Sequence, residues 1–193
     1  RGAADLAHLR RDAAAADLIS DGRLQLGVSR GSPEQVIDGY KYFGYDAPEG
    51  QTMADVARAN TETFLQVIDG AKFAEPNPRP MFPNPPGLLG IEPQSPGLRD
   101  RIWWGAASNA TAVWAAEAGM HLMSSTLKAD ESGKPFHVQQ REQIELYREA
   151  WKEAGHQRDA RVSVSRSIFA LTTDEDYRYF GFDRDTDDQI GTI

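Results

Sequence analysis

The chain has 193 residues, a formal net charge of -8 at neutral pH and no cysteine. The acidic balance disfavours nucleic acid or an anionic membrane as the main partner, because phosphate groups would be repelled on average. The lack of cysteine excludes disulfides, thiolate nucleophiles and cysteine-ligated metals. No apolar run approaches the roughly 18 residues of a membrane span, and no signal-peptide pattern opens the chain. These features predict a cytoplasmic protein.

The first part of the chain is predicted to form a helix, a short strand and two further helices. Residues 11–19 are rich in alanine and favour a helix. Apolar residues alternate over 23–28, which is typical of a buried strand. The sequence Ser-Pro-Glu-Gln at 32–35 has the form of an N-cap followed by proline at the first helical position. A further helix is predicted to open at 52–55 and to end at Gly70.

Prolines interrupt this pattern in the middle of the chain, where eight of the eleven fall between residues 71 and 97. Because proline lacks a backbone donor and fixes φ, residues 71–99 are predicted to be an irregular insertion loop. Two interpretations stay open. The loop is either a surface insertion or a cover for a ligand, since long ordered loops are often functional.

Strands and helices alternate again after the prolines. The predicted elements are a strand over 102–106, a helix over 109–118, a strand over 121–125, a helix over 137–154 and a strand over 162–170. In the long helix, Ile144, Tyr147 and Trp151 share one apolar face. Strands that have a buried pattern and alternate with helices predict a parallel sheet.

The strand ends help to choose between two parallel folds. An open Rossmann sheet would normally carry a Gly-x-Gly-x-x-Gly turn, and none is present. A barrel has its active site at the carboxyl ends of its strands, where Ser29, Arg30 and residues 108–111 fall. The sequence therefore favours an α/β barrel.

Small polar groups and a guanidinium follow two of these strands directly, at chain reversals that open helices. α/β proteins build phosphate sites in this way, so Arg30 and residues 108–111 together predict one phosphorylated ligand. The alternatives are structural. Arg30 could be an ion-pair residue that closes a loop, and residues 108–111 could form only a helix N-cap.

One predicted strand carries two adjacent tryptophans. Trp103 and Trp104 must point to opposite faces, so one is predicted in the barrel interior and the other beneath the helices. The four histidines show neither His-x-His nor His-Glu-x-x-His spacing, so no metal site is predicted.

Four segments carry a family resemblance. They are residues 22–32 (GRLQLGVSRGS), 42–44 (YFG), 101–116 (RIWWGAASNATAVWAA) and 119–125 (GMHLMSS). Together they resemble the bacterial-luciferase-like, flavin-dependent monooxygenases, and the resemblance runs in order from Arg10 onward. It implies a (β/α)8 TIM barrel of the luciferase-like type, of which this chain would cover roughly strands 4 to 7.

The resemblance also numbers the predicted strands. Those over 23–28, 102–106, 121–125 and 162–170 would be the fourth to the seventh. Residues 1–193 would then be a single luciferase-like barrel domain that is incomplete at both ends, because four strands cannot close a barrel.

The resemblance implies residues that hold the phosphate of FMN. They are Arg30, the hydroxyls of Ser108 and Thr111, and the backbone amides of Asn109 and Ala110. A guanidinium can hold a phosphate in a bidentate way, and a helix N-terminus adds unsatisfied N–H donors. The physics of these groups therefore agrees with the role that the family gives them.

Two further residues belong to the implied cofactor-binding set. Ser29 would lie near the flavin ring, and Ser125 ends the predicted strand over 121–125. Some family members carry a cysteine at the position of Ser29, and some carry an acidic residue where this chain has Ala107. The flavin contacts and the type of flavin therefore stay open.

The activity that the resemblance implies is oxidation of a small organic substrate by reduced FMN and O2 through a flavin C4a-peroxide. A partner flavin reductase would supply the reduced FMN, and the enzyme would be a homodimer. Family members often use a histidine on an early barrel strand as acid or base, so no catalytic residue is predicted within this chain. Two alternatives stay open: an oxidoreductase that uses the deazaflavin F420 on the same barrel, and a flavin-binding relative without turnover.

Overall fold

The computed structural model describes residues 2–31, 39–42, 46–125, 133–165 and 170–180, with the backbone alone for residues 2–10 and 180. The chain divides into two compact units, Arg1–Ile102 and Trp103–Ile193. No helix among the described residues is both long and apolar enough to cross a membrane.

Helices dominate the first unit. Its elements are α1 (Gly2–Ile19), β1 (Leu26–Val28), α2 (Gly39–Tyr42), α3 (Met53–Ile68) and a 3-10 helix (Leu98–Arg101). Helix α1 packs against α3, and α3 in turn contacts the 3-10 helix. The core of this unit includes Phe64, Leu65, Val67 and Ile68 of α3 and Leu98 of the 3-10 helix.

Helix α3 begins where its sequence predicts. Thr52 is an extended N-cap whose hydroxyl accepts a hydrogen bond from the amide of Asp55, and the Asp55 carboxylate accepts one from the amide of Thr52. This reciprocal capping box satisfies two of the amides that a helix start leaves unpaired. Asp69 caps the carboxyl end, and Gly70 follows with a φ of 90°.

Helix α1 and strand β1 differ from their predicted bounds. The helix begins at Gly2 and not at residue 11, because the preceding residues are also alanine- and leucine-rich helix formers. The strand has only three residues. Its predicted start is lost because the amide of Leu24 donates to Asp17 and its carbonyl accepts from Arg101. The helix predicted to start over 32–35 lies outside the described residues.

The proline-rich segment over residues 71–97 contains neither a helix nor a strand. One isolated antiparallel bridge joins Ala74 to Leu89, with the Leu89 amide 2.7 Å from the Ala74 carbonyl oxygen. Between them, Met81 and Phe82 are largely exposed. The role of this proline-rich segment, as a surface insertion or as a ligand cover, stays a prediction.

The second unit is built on parallel strands that alternate with helices. Its elements are β2 (Ile102–Ala106, which starts at the last residue of the first unit), α4 (Asn109–Glu117), β3 (His121–Ser124), α5 (Phe136–Glu153), β4 (Val162–Val164) and α6 (Asp174–Phe180). Strand β2 pairs in parallel with β3, and β3 pairs in parallel with β4. Helices α4 and α5 pack against each other and against β3. This alternation is the α/β arrangement that the sequence predicts.

The strands are not equally buried. Strands β2 and β3 are mostly buried, whereas β1 and β4 are half-buried or exposed. The expectation that all four strands are buried is therefore wrong for β1 and β4. Strand β4 lies at the end of the described sheet, so it has a neighbouring strand on one side only. Part of its predicted extension to residue 170 lies outside the described residues.

Candidate functional site

The turn between β2 and α4 carries four of the predicted site residues. Ser108 is an extended N-cap, and its hydroxyl oxygen accepts a hydrogen bond from the amide of Thr111 at 3.3 Å. In return, the Thr111 hydroxyl oxygen accepts the Ser108 amide at 3.4 Å, and the two hydroxyl oxygens lie 2.9 Å apart. The Thr111 hydroxyl also donates to the Ser108 carbonyl at 3.0 Å. The two side chains thus form a complete capping box.

Residues 108–111 form a helix N-cap, and backbone donors remain at the helix start. The amides of Asn109 and Ala110 fall in the first turn, where an α-helix provides no carbonyl partner. The first turn holds no acidic residue that would repel an anion. The side-chain oxygen of Asn109 is buried and has no hydrogen-bond partner among the described residues. The start of α4 therefore combines polar groups with the positive end of a helix dipole.

Helix α5 anchors the carboxyl ends of β2 and β3. The buried hydroxyl of Ser124 donates to the side-chain oxygen of Gln143 at 2.7 Å, and the Gln143 amide donates to the Ala106 carbonyl at 3.5 Å. The backbone amide of Ser125 donates to the same carbonyl at 3.1 Å. Ser125 is half-buried and lies beside the strand end that leads to Ser108.

The sequence misses Gln143 because the predicted face of this helix is apolar. Tyr147 and Trp151 are buried as expected, whereas Ile144 is only half-buried. Three glutamines are buried instead: Gln139, Gln140 and Gln143. Their spacing along a long helix, by one and three residues, was the sequence feature that could have indicated a shared buried face.

The first unit places Ser29 and Arg30 directly after β1. The hydroxyl oxygen of Ser29 accepts the amide of Gly31 at 3.2 Å, which tightens the turn. The side chain of Arg30 is exposed and forms no ion pair with any described residue. The ion-pair alternative for Arg30 therefore has no partner within the described part of the chain.

A cavity of about 420 Å³ opens beside this turn, within the first unit. Strand β1 and its turn form one wall, and residues between Met53 and Phe64 of α3 form another. The polar side chains that line it are Ser29, Arg30, Tyr40, Asn60 and Thr61, and the apolar ones are Val28, Met53, Val56, Ala57 and Phe64. The hydroxyl of Tyr40 donates to the Gly31 carbonyl at 3.3 Å. The volume of this cavity lies within the range of small-molecule sites.

A buried carboxylate holds the start of β1. Asp17 is fully buried and lies 2.6 Å from the guanidinium of Arg101. It also accepts the hydroxyl of Ser95 at 2.7 Å and the amide of Leu24 at 3.1 Å. Burial raises the pKa of the Asp17 carboxyl, but these hydrogen bonds and the Arg101 charge outweigh it and hold the pKa below its ordinary value. Nothing in the local sequence singled Asp17 out.

The adjacent tryptophans occupy opposite faces of β2, as the alternation of a strand requires. Trp104 packs edge-on against Trp114 of α4, with ring centroids 4.9 Å apart, so it is the one beneath the helices. Trp103 contacts the ring of His121 at 4.8 Å and carries the Arg161 guanidinium over its face at 4.9 Å. Trp103 and His121 are partners in the sheet register, so this cluster lies at the amino ends of the strands.

Within the second unit, the structure brings Ser108, Asn109, Ala110, Thr111 and Ser125 to the carboxyl ends of β2 and β3. Within the first unit, Ser29 and Arg30 take the same position after β1. Their roles toward a ligand stay predictions. Among the described residues, no three histidine, aspartate or glutamate side chains cluster in a way that could hold a metal ion.

Parallel strands that pair in chain order, with polar groups after their carboxyl ends, are the arrangement expected of an α/β barrel. The chain belongs to the luciferase-like monooxygenases, since the model of that family matches residues 4–179. The family resemblance and the fold class predicted from the sequence are thereby confirmed. A search of curated protein sequences found no match to this chain.

Solved structures lead to the same fold. The chain is similar to the crystal structure of the monooxygenase RslO1 from Streptomyces bottropensis, with a TM-score of 0.61 and 21% sequence identity. The similarity covers 91% of this chain and 50% of that one, so the chain spans half the length of this relative. At this identity the likeness concerns the fold.

Proposed function

We propose that the protein is a flavin-dependent monooxygenase that uses reduced FMN and O2 to oxidise a small organic substrate. The observation that supports the proposal most directly is the set of polar groups at the start of α4, in a chain that belongs to this family. Two hydroxyls and two first-turn amides stand there directly after a buried parallel strand. Barrel enzymes form their active sites at the carboxyl ends of the strands, and a helix N-terminus there suits a phosphate group.

The residues at the start of α4 suit a phosphate group. The amides of Asn109 and Ala110 donate to the anion, and the positive end of the helix dipole favours its charge. The hydroxyls of Ser108 and Thr111 bond each other at 2.9 Å, and each can turn its hydrogen to a phosphate oxygen without losing its role as acceptor in the capping box. The Asn109 amide group can rotate so that its NH2 replaces the unpartnered oxygen.

Arg30 supplies the positive charge in this proposal. Its side chain is exposed and forms no ion pair among the described residues, so its charge is available to an anion. A guanidinium can donate two parallel hydrogen bonds to phosphate oxygens. Ser29 and Ser125 are proposed to lie along the rest of the cofactor.

Reduced FMN, when bound, supplies the electrons that activate O2. The chain's own residues bind and orient the cofactor through its phosphate and exclude water from it. The cavity beside Ser29 and Arg30 is of the size that a small organic molecule requires. A flavin reductase as the source of reduced FMN, a homodimer and a cytoplasmic location belong to the same proposal.

The first experiment titrates the purified protein with FMN and compares Ser108→Asp with the unchanged chain. Aspartate is as good an N-cap as serine, so α4 keeps its start, but its carboxylate repels a phosphate. The dissociation constant for FMN should rise by about tenfold or more, since removing or opposing one charge-assisted hydrogen bond costs about 1.5–3 kcal/mol. Equal FMN affinity in the two proteins would contradict the proposed phosphate site.

The role of Arg30 is tested in the same way, with Arg11→Ala as the matched control. Both arginines are exposed, but Arg11 is paired with its neighbour Asp12 on α1. Arg30→Ala should weaken FMN binding by about tenfold, whereas Arg11→Ala should leave it unchanged. Equal effects of the two substitutions would indicate a loss of net charge alone.

The cofactor and the reaction are separated by two further measurements. Titration with F420 alongside FMN decides between the two cofactors, because only the preferred one should bind in the micromolar range or tighter. Oxygen consumption that depends on substrate and reduced FMN supports the monooxygenase. Tight flavin binding without such consumption across a substrate screen would favour the flavin-binding relative without turnover.

A further inference from the structure

We propose that Gln143 of α5 is a positioning residue that holds the turn between β2 and α4 in its phosphate-binding geometry. This inference rests on the proposed function, because it assigns a supporting residue to the same site. Gln143 does not touch the cofactor in this proposal. It acts through the backbone of Ala106 and through Ser124.

Gln143 is 1% exposed and lies between the ends of two strands. Its side-chain oxygen accepts the Ser124 hydroxyl at 2.7 Å, and its NH2 donates to the Ala106 carbonyl at 3.5 Å. The Ala106 carbonyl also accepts the amide of Ser125 at 3.1 Å. That carbonyl therefore has two donors, which restrain the peptide plane at the end of β2.

The fixed peptide is two residues from the N-cap of α4. Ala106 ends β2, Ala107 follows, and Ser108 begins the capping box with Thr111. Few rotatable bonds separate the anchored carbonyl from the amides proposed to bind phosphate. A shift of the peptide plane would therefore redirect those amides and weaken their hydrogen bonds to a phosphate group.

The same helix offers a matched control. Gln140 is also buried, at 4% exposure, but its side-chain NH2 has no hydrogen-bond partner among the described residues. It precedes Gln143 by three residues, so the two side chains lie on the same side of α5. The two glutamines thus share residue type, helix and burial but differ in their contact with the strand ends.

The experiment measures the affinities of the intact protein for FMN and for riboflavin, which lacks the phosphate. Gln143→Met keeps the length of the side chain and removes both of its hydrogen bonds. We expect FMN affinity to fall by about tenfold and riboflavin affinity to stay within about twofold, so the preference for FMN shrinks. Gln140→Met should change neither affinity. A general loss of structure would lower both affinities together, which separates positioning from stability.

A second variant makes the smallest change to the same contact. Ser124→Ala removes only the buried hydroxyl that bonds Gln143, and it should produce the same selective loss at about threefold. This variant decides the outcome if Gln143→Met does not fold. An unchanged ratio of FMN to riboflavin affinity in Ser124→Ala and in any folded Gln143→Met overturns the positioning role.

Ser108→Asp, measured in parallel, reports on the proposed function itself. If Ser108→Asp weakens FMN binding and the Gln143 and Ser124 variants do not, the proposed phosphate site is supported and the positioning role of Gln143 is refuted. If Ser108→Asp has no effect on FMN binding, the proposed phosphate site falls and the inference about Gln143 falls with it.

Discussion

Asp17 and Arg101 lie 84 positions apart in the sequence and form an ion pair of 2.6 Å in which the carboxylate is fully buried. The guanidinium also donates to the Leu24 carbonyl at 3.2 Å, while the Leu24 amide donates to the carboxylate. One carboxylate thus joins the end of α1 to the chain just before β1. The position of the turn at Ser29 and Arg30 depends on this anchor, since β1 leads from one to the other.

Replacing Asp17 by alanine should strongly destabilise the protein. The substitution leaves the Arg101 charge and the hydroxyl of Ser95 without their acceptor, and breaking a buried ion pair on one side costs about 3–5 kcal/mol. The free energy of unfolding in urea measures the loss. Asp12→Ala is the control, because its carboxylate is exposed and its ion pair among the described residues is with its neighbour Arg11, so a change within about 0.5 kcal/mol is expected. A similar loss in both variants would refute the anchoring role.

Stability should depend on pH through the same carboxyl group. Burial raises the pKa of Asp17, but the hydrogen bonds from Ser95, Leu24 and Arg101 lower it by more than burial raises it. The pKa of Asp17 in the folded protein therefore lies below its value in the unfolded chain. A depressed pKa contributes stability above the unfolded value of about 3.9, and the contribution is lost as pH falls through the folded pKa. Unfolding free energies of the protein and of Asp17→Asn, measured from pH 7 to pH 2, should therefore converge toward the acidic end. A difference that stays constant over this range would contradict the prediction.

The elements that the sequence predicts most closely are those with local causes. Strand β2 is observed over the predicted residues, and α4 begins at the predicted Asn109. An apolar run sets the strand, and Ser108 with Thr111 sets the helix start, so no distant contact is needed. The capping box of α3 at Thr52 and Asp55 is local for the same reason.

The residues that the sequence misses have distant partners. Asp17 pairs with Arg101 from the far end of the first unit, and Gln143 bonds Ser124 and Ala106 from the next helix along. A polar residue on a helix is ordinarily solvated, so periodicity alone cannot tell a buried glutamine from an exposed one. The start of β1 is shortened by the same kind of distant contact.

The hydroxyl of Tyr147 should add to the free energy of unfolding beyond the contribution of its buried ring. It is fully buried in α5, and its hydroxyl donates to the Met120 carbonyl at 3.0 Å, just before β3. Tyr147→Phe leaves that buried carbonyl without this donor and should cost about 1–2 kcal/mol in urea unfolding. Tyr42→Phe is the control because Tyr42 is 81% exposed, and it should change stability by less than about 0.5 kcal/mol. If the two substitutions cost the same, the bond to Met120 has no net value.

The ionisation of Tyr147 gives an independent test of its burial. Desolvation raises the pKa of its phenol far above the ordinary value, and the nearby charges of Arg158 and Arg148 only partly offset this. In a spectrophotometric titration of the folded protein, Tyr147→Phe should therefore remove no absorbance change in the range where exposed tyrosines titrate, near pH 10. Loss of one tyrosine's signal in that range would show that the side chain is accessible to solvent.

Gly119 joins α4 to β3 in a conformation that other residues adopt at a cost. Its φ is 67°, and a Cβ added there would lie 3.1 Å from Cε1 of His156. Nε2 of the same His156 ring is 2.7 Å from the Ala116 carbonyl oxygen, so a displaced ring would also lose this contact. Gly119→Ala therefore combines backbone strain with steric pressure on a side chain that is already bound.

Gly155 separates these two costs. Its φ is 75°, and an added Cβ would meet no atom of the described residues within 4 Å. Gly155→Ala should thus cost only the left-handed backbone penalty of about 1–2 kcal/mol. Gly119→Ala should exceed it by about 1 kcal/mol or more, the typical net value of the hydrogen bond at His156. Both losses are measured as free energies of unfolding, and a third protein, His156→Ala, supplies the internal check. In the His156→Ala protein, Gly119→Ala should lower the free energy of unfolding by no more than Gly155→Ala does in the unchanged protein. The reason is that the imidazole ring that the new methyl group would contact is gone.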